Sequence, residues 1–253
     1  MANQAVAHHS FPTTQPQNRT TAQPQNPKTA QPYYRITAQP MTKKERYARF
    51  IAYFQGTMPE ANTELHYENP FQLLCAVMLS AQCTDKRVNM VTPALFEAFP
   101  TPFALSEATK EEVLHYVKSV SYPNSKAEHL VQMAKQLTEE HNGEVPGDFD
   151  ALVALPGVGR KTANVMLAVA FNEARMAVDT HVFRVSHRIG LVSAQATTPY
   201  AVEKELMKNI PEEDIPRAHH WLILHGRYVC KSQRPLCKEC GIREFCAYKD
   251  KRM

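Results

Sequence analysis

Leu155-Pro156-Gly157-Val158-Gly159-Arg160-Lys161-Thr162-Ala163 opens the stretch that decides how this chain is built, and Val178-Asp179-Thr180-His181 closes it. Pro156, Gly157 and Gly159 crowd a tight turn, where glycine permits positive φ and lets backbone N–H groups face a phosphate with no Cβ in the way. Residues 163–171 are almost wholly apolar, so a buried helix follows, its positive N-terminal end pointing back at the turn. Lys161 falls in the first turn of that helix. Asp179 lies beyond its far end, where the chain can return.

Outward from that stretch, composition sets the bounds. With 253 residues, 43% of them hydrophobic, the chain can bury one large core or two smaller ones. Only 8 glycines stand against 18 prolines, and almost no segment alternates polar with apolar residues, so helices dominate and the fold class is all-α. The net charge of +4 is a mild bias toward polyanions, shared by many soluble proteins. No apolar run reaches membrane-span length and the N-terminus lacks a secretory core, which predicts a protein that is not secreted: cytoplasmic and nucleoid-associated if bacterial.

Residues 1–41 are expected to be a disordered tail. They are rich in Gln, Thr, Pro and Asn, lack acidic residues, and repeat Thr-Ala-Gln-Pro up to Pro24, Pro32 and Pro40. From Thr42 a helix is predicted, with Tyr47, Phe50, Ile51 and Phe54 on one face. Asn69 before Pro70 caps the next, which ends in Leu-Ser-Ala-Gln-Cys-Thr-Asp at 79–85. Thr109 with Glu112, and Ser125 with Glu128, have the capping-box pattern. Gly143 closes the helix that follows Ser125, Asp148 caps a short one, Thr198-Pro199 opens another, and a last one carries Trp221, Leu222 and Leu224 and ends at Gly226. The count comes to roughly nine or ten helices.

Cys230, Cys237, Cys240 and Cys246 stand as C-x6-C-x2-C-x5-C. Four thiolates at this spacing can close around one centre, and both zinc and a 4Fe-4S cluster accept such a set. The wide six- and five-residue gaps favour the larger centre without excluding zinc. The basic residues between them, Lys231 and Arg234 included, form either a phosphate-facing surface or a solvated tail. Cys75 and Cys83 read as core or unreactive thiols.

Leu155 to Ala163, Val178 to His181 and the four-cysteine tail resemble the endonuclease III family of DNA glycosylases and AP lyases, in the iron-sulfur-containing helix-hairpin-helix superfamily. So do Leu-Ser-Ala-Gln at 79–82, Asn-Ser-Lys-Ala at 124–127, His-Asn-Gly-Glu-Val-Pro at 141–146 and His-Trp-Leu-Ile-Leu-His-Gly-Arg-Tyr at 220–228. The likeness covers residues 42–253. It implies two helical domains with the active site between them: a six-helix barrel with the helix-hairpin-helix motif, residues 63–173, and a cluster domain joining 42–62 to 174–253. It implies Lys161 as nucleophile, Asp179 as the catalytic carboxylate, a hairpin at Gly157, Gly159 and Arg160 gripping the backbone of duplex DNA, and a 4Fe-4S cluster on Cys230, Cys237, Cys240 and Cys246. The expected form is a monomer.

The chemistry of these residues agrees with that implication. An amine that attacks the anomeric carbon forms a Schiff base and assists β-elimination of the 3′ phosphate. A helix N-terminus disfavours an ammonium, which favours the neutral, nucleophilic form of Lys161. The carboxylate of Asp179 can orient the lysine, accept its proton through a water, or stabilise an oxocarbenium-like sugar, although an aspartate before threonine also reads as a helix cap. His181 reads as a structural hydrogen-bonding group.

A base inside a duplex must be flipped out and its gap filled. The resemblance places Gln82 in that gap. The chain departs from the family pattern at Ser121-Tyr122-Pro123, where Gly-Leu-Tyr is usual, so Tyr122 occupies the position of a leucine wedge. It reads either as an aromatic that stacks on the orphan base or as a residue packed at a helix stop. The function expected is removal of oxidised pyrimidines followed by cleavage 3′ to the abasic site, in base excision repair. An adenine-mismatch glycosylase and a non-enzymatic iron-sulfur DNA-binding protein are the alternatives; Lys161 argues against the first.

Overall fold

Helix α1, Lys43–Thr57, begins at a capping box in which Thr42 and Glu45 satisfy each other's backbone N–H groups, and it buries Tyr47, Phe50 and Phe54 along one stripe. The computed structural model describes residues 41–252; the tail expected over 1–41 lies, Met41 apart, outside the described residues. Among these residues there is no strand, and no helix is long and apolar enough to cross a membrane.

Helix α2, Pro70–Ser80, starts where the Asn69 side chain accepts from the Gln72 N–H and Pro70 fills the first helical position. Every residue from Phe71 to Leu79 is buried, so α2 is surrounded on all sides. Around it stand α3 (Asp85–Ala98), α4 (Pro102–Ser106), α5 (Lys110–Val117), α6 (Pro123–Glu140), α7 (Phe149–Ala154) and α8 (Arg160–Ala170). Then follow α9 (Thr180–Ile189), α10 (Pro199–Asn209), a single 3-10 turn at Glu212–Asp214, and α11 (Ile215–Tyr228).

Three local expectations are corrected. Ser125 does not cap a helix: Pro123, with φ already fixed and no N–H to satisfy, starts α6, and Tyr122 is the N-cap. Gly226 does not end α11, which runs on to Tyr228. A Cβ there would lie 2.9 Å from His181 Cβ, so this glycine serves close packing of α11 on α9. Helix α3 goes beyond the reading of residues 79–85 as a helix end. Its buried stripe is only Val88, Thr92 and Leu95, and Pro93 sits inside it, which masks the helical period.

The buried residues form two hydrophobic cores. One runs contiguously from Leu65 through α2–α8 to Ala177. The other joins Tyr47, Phe50 and Phe54 of α1 to α9, α10, α11 and the tail residues Ile242 and Phe245. At its centre Trp221 stacks on Phe54 with ring centroids 5.9 Å apart and donates its indole N–H to the Met58 carbonyl at 2.8 Å. The link from α8 to α9 threads between the cores. Met176 and Val178 enter the second while Ala177 enters the first, the alternation of an extended chain, and the next residue is Asp179.

Candidate active site

Lys161 and Asp179 line one cleft at the seam of the two cores. Each sits at a helix start. Lys161 is in the first turn of α8. Asp179 is the N-cap of α9, its Oδ1 accepting from the Val182 N–H at 2.8 Å, so the reading of this aspartate as a cap describes its geometry.

The cleft holds residues that the sequence reading did not single out: Glu64, Asp85, His219, His220 and Arg227. Arg227 Nη1 donates to Asp85 Oδ2 at 2.6 Å and to Glu64 Oε2, and the Tyr228 hydroxyl donates to Glu64 Oε1. Burial would raise the Glu64 carboxyl, but the hydrogen bonds from Tyr228 and Arg227 outweigh it and hold the group below its ordinary value. Burial lowers His219 well below the usual imidazole range, and the neighbouring His220 and Lys161 charges add to this. His220 falls to about 4, through burial first and Arg227 second. Both imidazoles are therefore neutral at pH 7, and His219 Nδ1 is buried without a partner. A signal for these residues existed in the string from His220 to Tyr228, which supplies His220 and Arg227.

The turn before α8 has the conformation that its glycines suggested at one position only. Gly157 adopts φ +77°, and a Cβ there would lie 2.8 Å from His129 Cβ. Gly159 is the N-cap with φ −97°; a Cβ on it would meet nothing, so its face is open to solvent. No side chain caps α8, which leaves its first N–H groups directed outward. The Arg160 side chain turns to α10, with Nε donating to Glu203 Oε2 at 3.2 Å and the guanidinium over the rings of Phe149 and Tyr200.

Gln82 and Tyr122 stand outside the cleft lining, on the turns before α3 and α6. Both adopt the left-handed conformation, with φ of 52° and 55°. Tyr122 is 64% exposed, so it does not pack as a helix stop. His181 Nδ1 lies 3.3 Å from Arg184 Nη2, the structural contact expected of it.

Cys230, Cys237, Cys240 and Cys246 all line one apolar cavity with Ile189, Val229, Leu236 and Ile242. None is in a disulfide. Burial raises the Cys240 and Cys246 thiols, and the other thiols of the set raise them further, so a cationic centre is what would hold all four as thiolates. Among the described residues no three or more His, Cys, Asp or Glu side chains close on the position of a single metal ion. The cysteine loop is fastened to α9. Arg184 donates to the Cys230 carbonyl at 3.1 Å, and Arg188 to the Lys231 and Ser232 carbonyls at 2.7 and 2.9 Å. Lys231 and Arg234 on that loop are exposed. Cys75 is buried, which pushes its thiol up and keeps it unreactive.

Residues 75–212 match the HhH-GPD superfamily of base excision DNA repair proteins. Endonuclease III of Rickettsia conorii (strain ATCC VR-613 / Malish 7) is 50% identical over 200 residues, 79% of this chain and 94% of that one. Endonuclease III of Escherichia coli (strain K12) is 49% identical over 208 residues, 82% of this chain and 98% of that one. A trapped endonuclease III–DNA covalent intermediate superposes with a TM-score of 0.77 at 44% identity, covering 81% of this chain and 96% of its own. With the superfamily match over residues 75–212 and relatives about half identical across some four-fifths of the chain, the chain belongs to the endonuclease III family of the HhH-GPD superfamily.

Proposed function

We propose that this base excision repair enzyme is a bifunctional glycosylase and AP lyase that removes oxidised pyrimidines from duplex DNA. One observation carries the reading: Lys161 and Asp179, delivered by two different helix starts, face a single cleft. The solved relatives bound to DNA, covalently and non-covalently, support duplex DNA as the partner. In this reading the two cores are two domains, 63–173 and 42–62 with 174–253, and the enzyme works as a monomer on chromosomal DNA.

Lys161 Nζ attacks C1′ of the damaged nucleotide, and the base departs with the electron pair of the glycosidic bond. Asp179, oriented by its cap bond, stabilises the positive charge that grows on the sugar and takes up the proton the amine must lose. The nitrogen lone pair then expels O4′ from C1′, O4′ taking a proton as the sugar ring opens, and the Schiff base so formed acidifies C2′. Loss of a C2′ proton then expels the 3′ phosphate. Neutral His219 and His220 keep two further cations out of the cleft beside Lys161. The uncapped start of α8 with Gly157, Gly159 and the Arg160 backbone holds a phosphate, and Lys231 and Arg234 approach another. Gln82 and Tyr122 fill the gap left by the flipped nucleotide.

The four cysteines would hold a 4Fe-4S cluster, which when bound supplies a covalent tie between the loop and its neighbours. Their apolar cavity and mutual repulsion fit such a centre. The test of the reaction is borohydride trapping on duplex DNA with an abasic site. A covalent adduct with the native enzyme and none with Lys161→Gln is expected; an undiminished adduct in the variant overturns the assignment.

A further inference from the structure

The end of α2 and the start of α6 are joined by more than packing. Lys126, on the first turns of α6 and only 8% exposed, donates Nζ hydrogen bonds to the Leu79 carbonyl at 2.8 Å and to the Ala81 carbonyl at 2.6 Å. Ser121 Oγ donates to the Gln82 carbonyl at 2.7 Å. The remaining carbonyl of the run, Ser80, accepts from the Cys83 N–H at 3.0 Å. Every peptide oxygen from Leu79 to Gln82 is therefore held, three of the four by side chains 39 to 47 residues further along the chain.

This bonding has a physical consequence for the two exposed side chains. A non-glycine residue in the left-handed region persists only where its surroundings fix both flanking peptides. Gln82 is held there by Lys126 on one side and Ser121 on the other. Tyr122 follows Ser121 directly and takes the same conformation, so one hydroxyl ties together the turns that carry both. Burial lowers the Lys126 ammonium below its ordinary value, and the carbonyl cluster at the helix C-terminus works in the opposite direction by accepting its protons.

We propose that Ser121 and Lys126 are positioning residues that make Gln82 and Tyr122 one rigid two-pronged unit, and that this unit sets how the enzyme discriminates the base opposite the lesion. The proposal rests on the reading of Gln82 and Tyr122 as gap-filling residues. Its specific content is the coupling: the amide and the phenol ring keep a fixed spacing, so the opposite base meets both or neither.

The test uses the full-length protein and a lesion duplex carrying 2-aminopurine in the opposite strand, whose fluorescence reports stacking. Single-turnover rates are measured in parallel with each of the four bases opposite the lesion. Ser121→Ala, the loss of one hydroxyl at a half-buried residue, is expected to quench the stacking signal less than the native enzyme does and to alter the ranking of opposite bases by about tenfold, with an unchanged melting temperature. In a Gln82→Ala or Tyr122→Ala background the same change is expected to have no further effect. Lys126→Met should reproduce the Ser121→Ala profile, and since it removes a buried cation its melting temperature is read alongside. A Ser121→Ala enzyme with native fluorescence and native opposite-base ranking overturns the coupling. So does an effect that persists undiminished once Gln82 is removed. If Gln82→Ala and Tyr122→Ala themselves leave fluorescence and ranking unchanged, the gap-filling reading fails and the coupling with it.

Discussion

The Arg160 guanidinium is paired with the Glu203 carboxylate, and the pair joins the two halves of the molecule. Arg160 starts α8, beside the first core, and Glu203 lies on α10 in the second. The guanidinium lies over the rings of Phe149 and Tyr200, 5.1 and 4.7 Å from their centroids. Lys161 is the next residue, so this pair anchors the helix turn that carries it. Arg160→Ala strands a buried carboxylate; since the arginine is itself half-exposed, a loss of about 1–2 kcal/mol in stability is expected. Glu203→Gln should cost less. Thermal denaturation measures both. The salt dependence of DNA binding should be unchanged in Arg160→Ala, whereas a slope reduced by about one unit would place this side chain on a phosphate instead.

Asp179 is assigned two duties that substitution separates. Asparagine is as good an N-cap as aspartate, so Asp179→Asn should hold stability within about 0.5 kcal/mol while losing most glycosylase activity. Asp179→Ala should lose both, with a stability cost of about 1 kcal/mol. Melting curves beside single-turnover kinetics make the comparison. An active Asp179→Asn enzyme would reduce the residue to a cap.

His220 makes stability depend on pH in a defined window. Its folded value, about 4, lies below the 6.5 of a free imidazole, so between these values the unfolded chain binds more protons than the folded one. The resulting stability is complete above pH 6.5 and is lost as pH falls toward 4, on the order of 3 kcal/mol for a shift of this size. Urea titrations at pH 7 and pH 5 should differ in that direction. His220→Gln should reduce the slope between them by the His220 share, the rest coming from His219 and His225, which burial lowers in the same direction.

Iron and acid-labile sulfide in equal amounts are expected in anaerobically purified protein, and Cys237→Ser should lower both. Zinc at full occupancy with no iron would replace the cluster by a mononuclear site. Arg188→Ala frees the Lys231 and Ser232 carbonyls, so faster cluster loss under air is expected, followed by the decay of visible absorbance.

Legibility in the sequence followed the locality of the physics. Caps at Asn69, Thr109, Asp148 and Thr198 could be read because each depends on three or four consecutive residues. The turn at Gly157 was legible for the same reason. Ser125 misled because its capping-box spacing was sound, yet Pro123, two residues earlier, had already started the helix. Glu64, Asp85 and His219 were out of reach, since nothing within their own segments indicates that Arg227 or the cleft will lie beside them. Arg160 is the instructive case. The turn it occupies predicts a phosphate contact, and only the distant Glu203, Phe149 and Tyr200 redirect its side chain.

Helix α1 belongs to the second core although it precedes the whole of the first. On a ribosome, the first core can close as soon as residues up to Ala177 have emerged, while α1 must wait for α9, α10 and α11. The cysteine loop comes later still. Synthesis therefore delivers Lys161 before Asp179, but the wall carrying His219, His220 and Arg227 arrives only with α11. A nascent chain that has reached Asp179 therefore carries Lys161 without the wall of α11 that encloses the cleft.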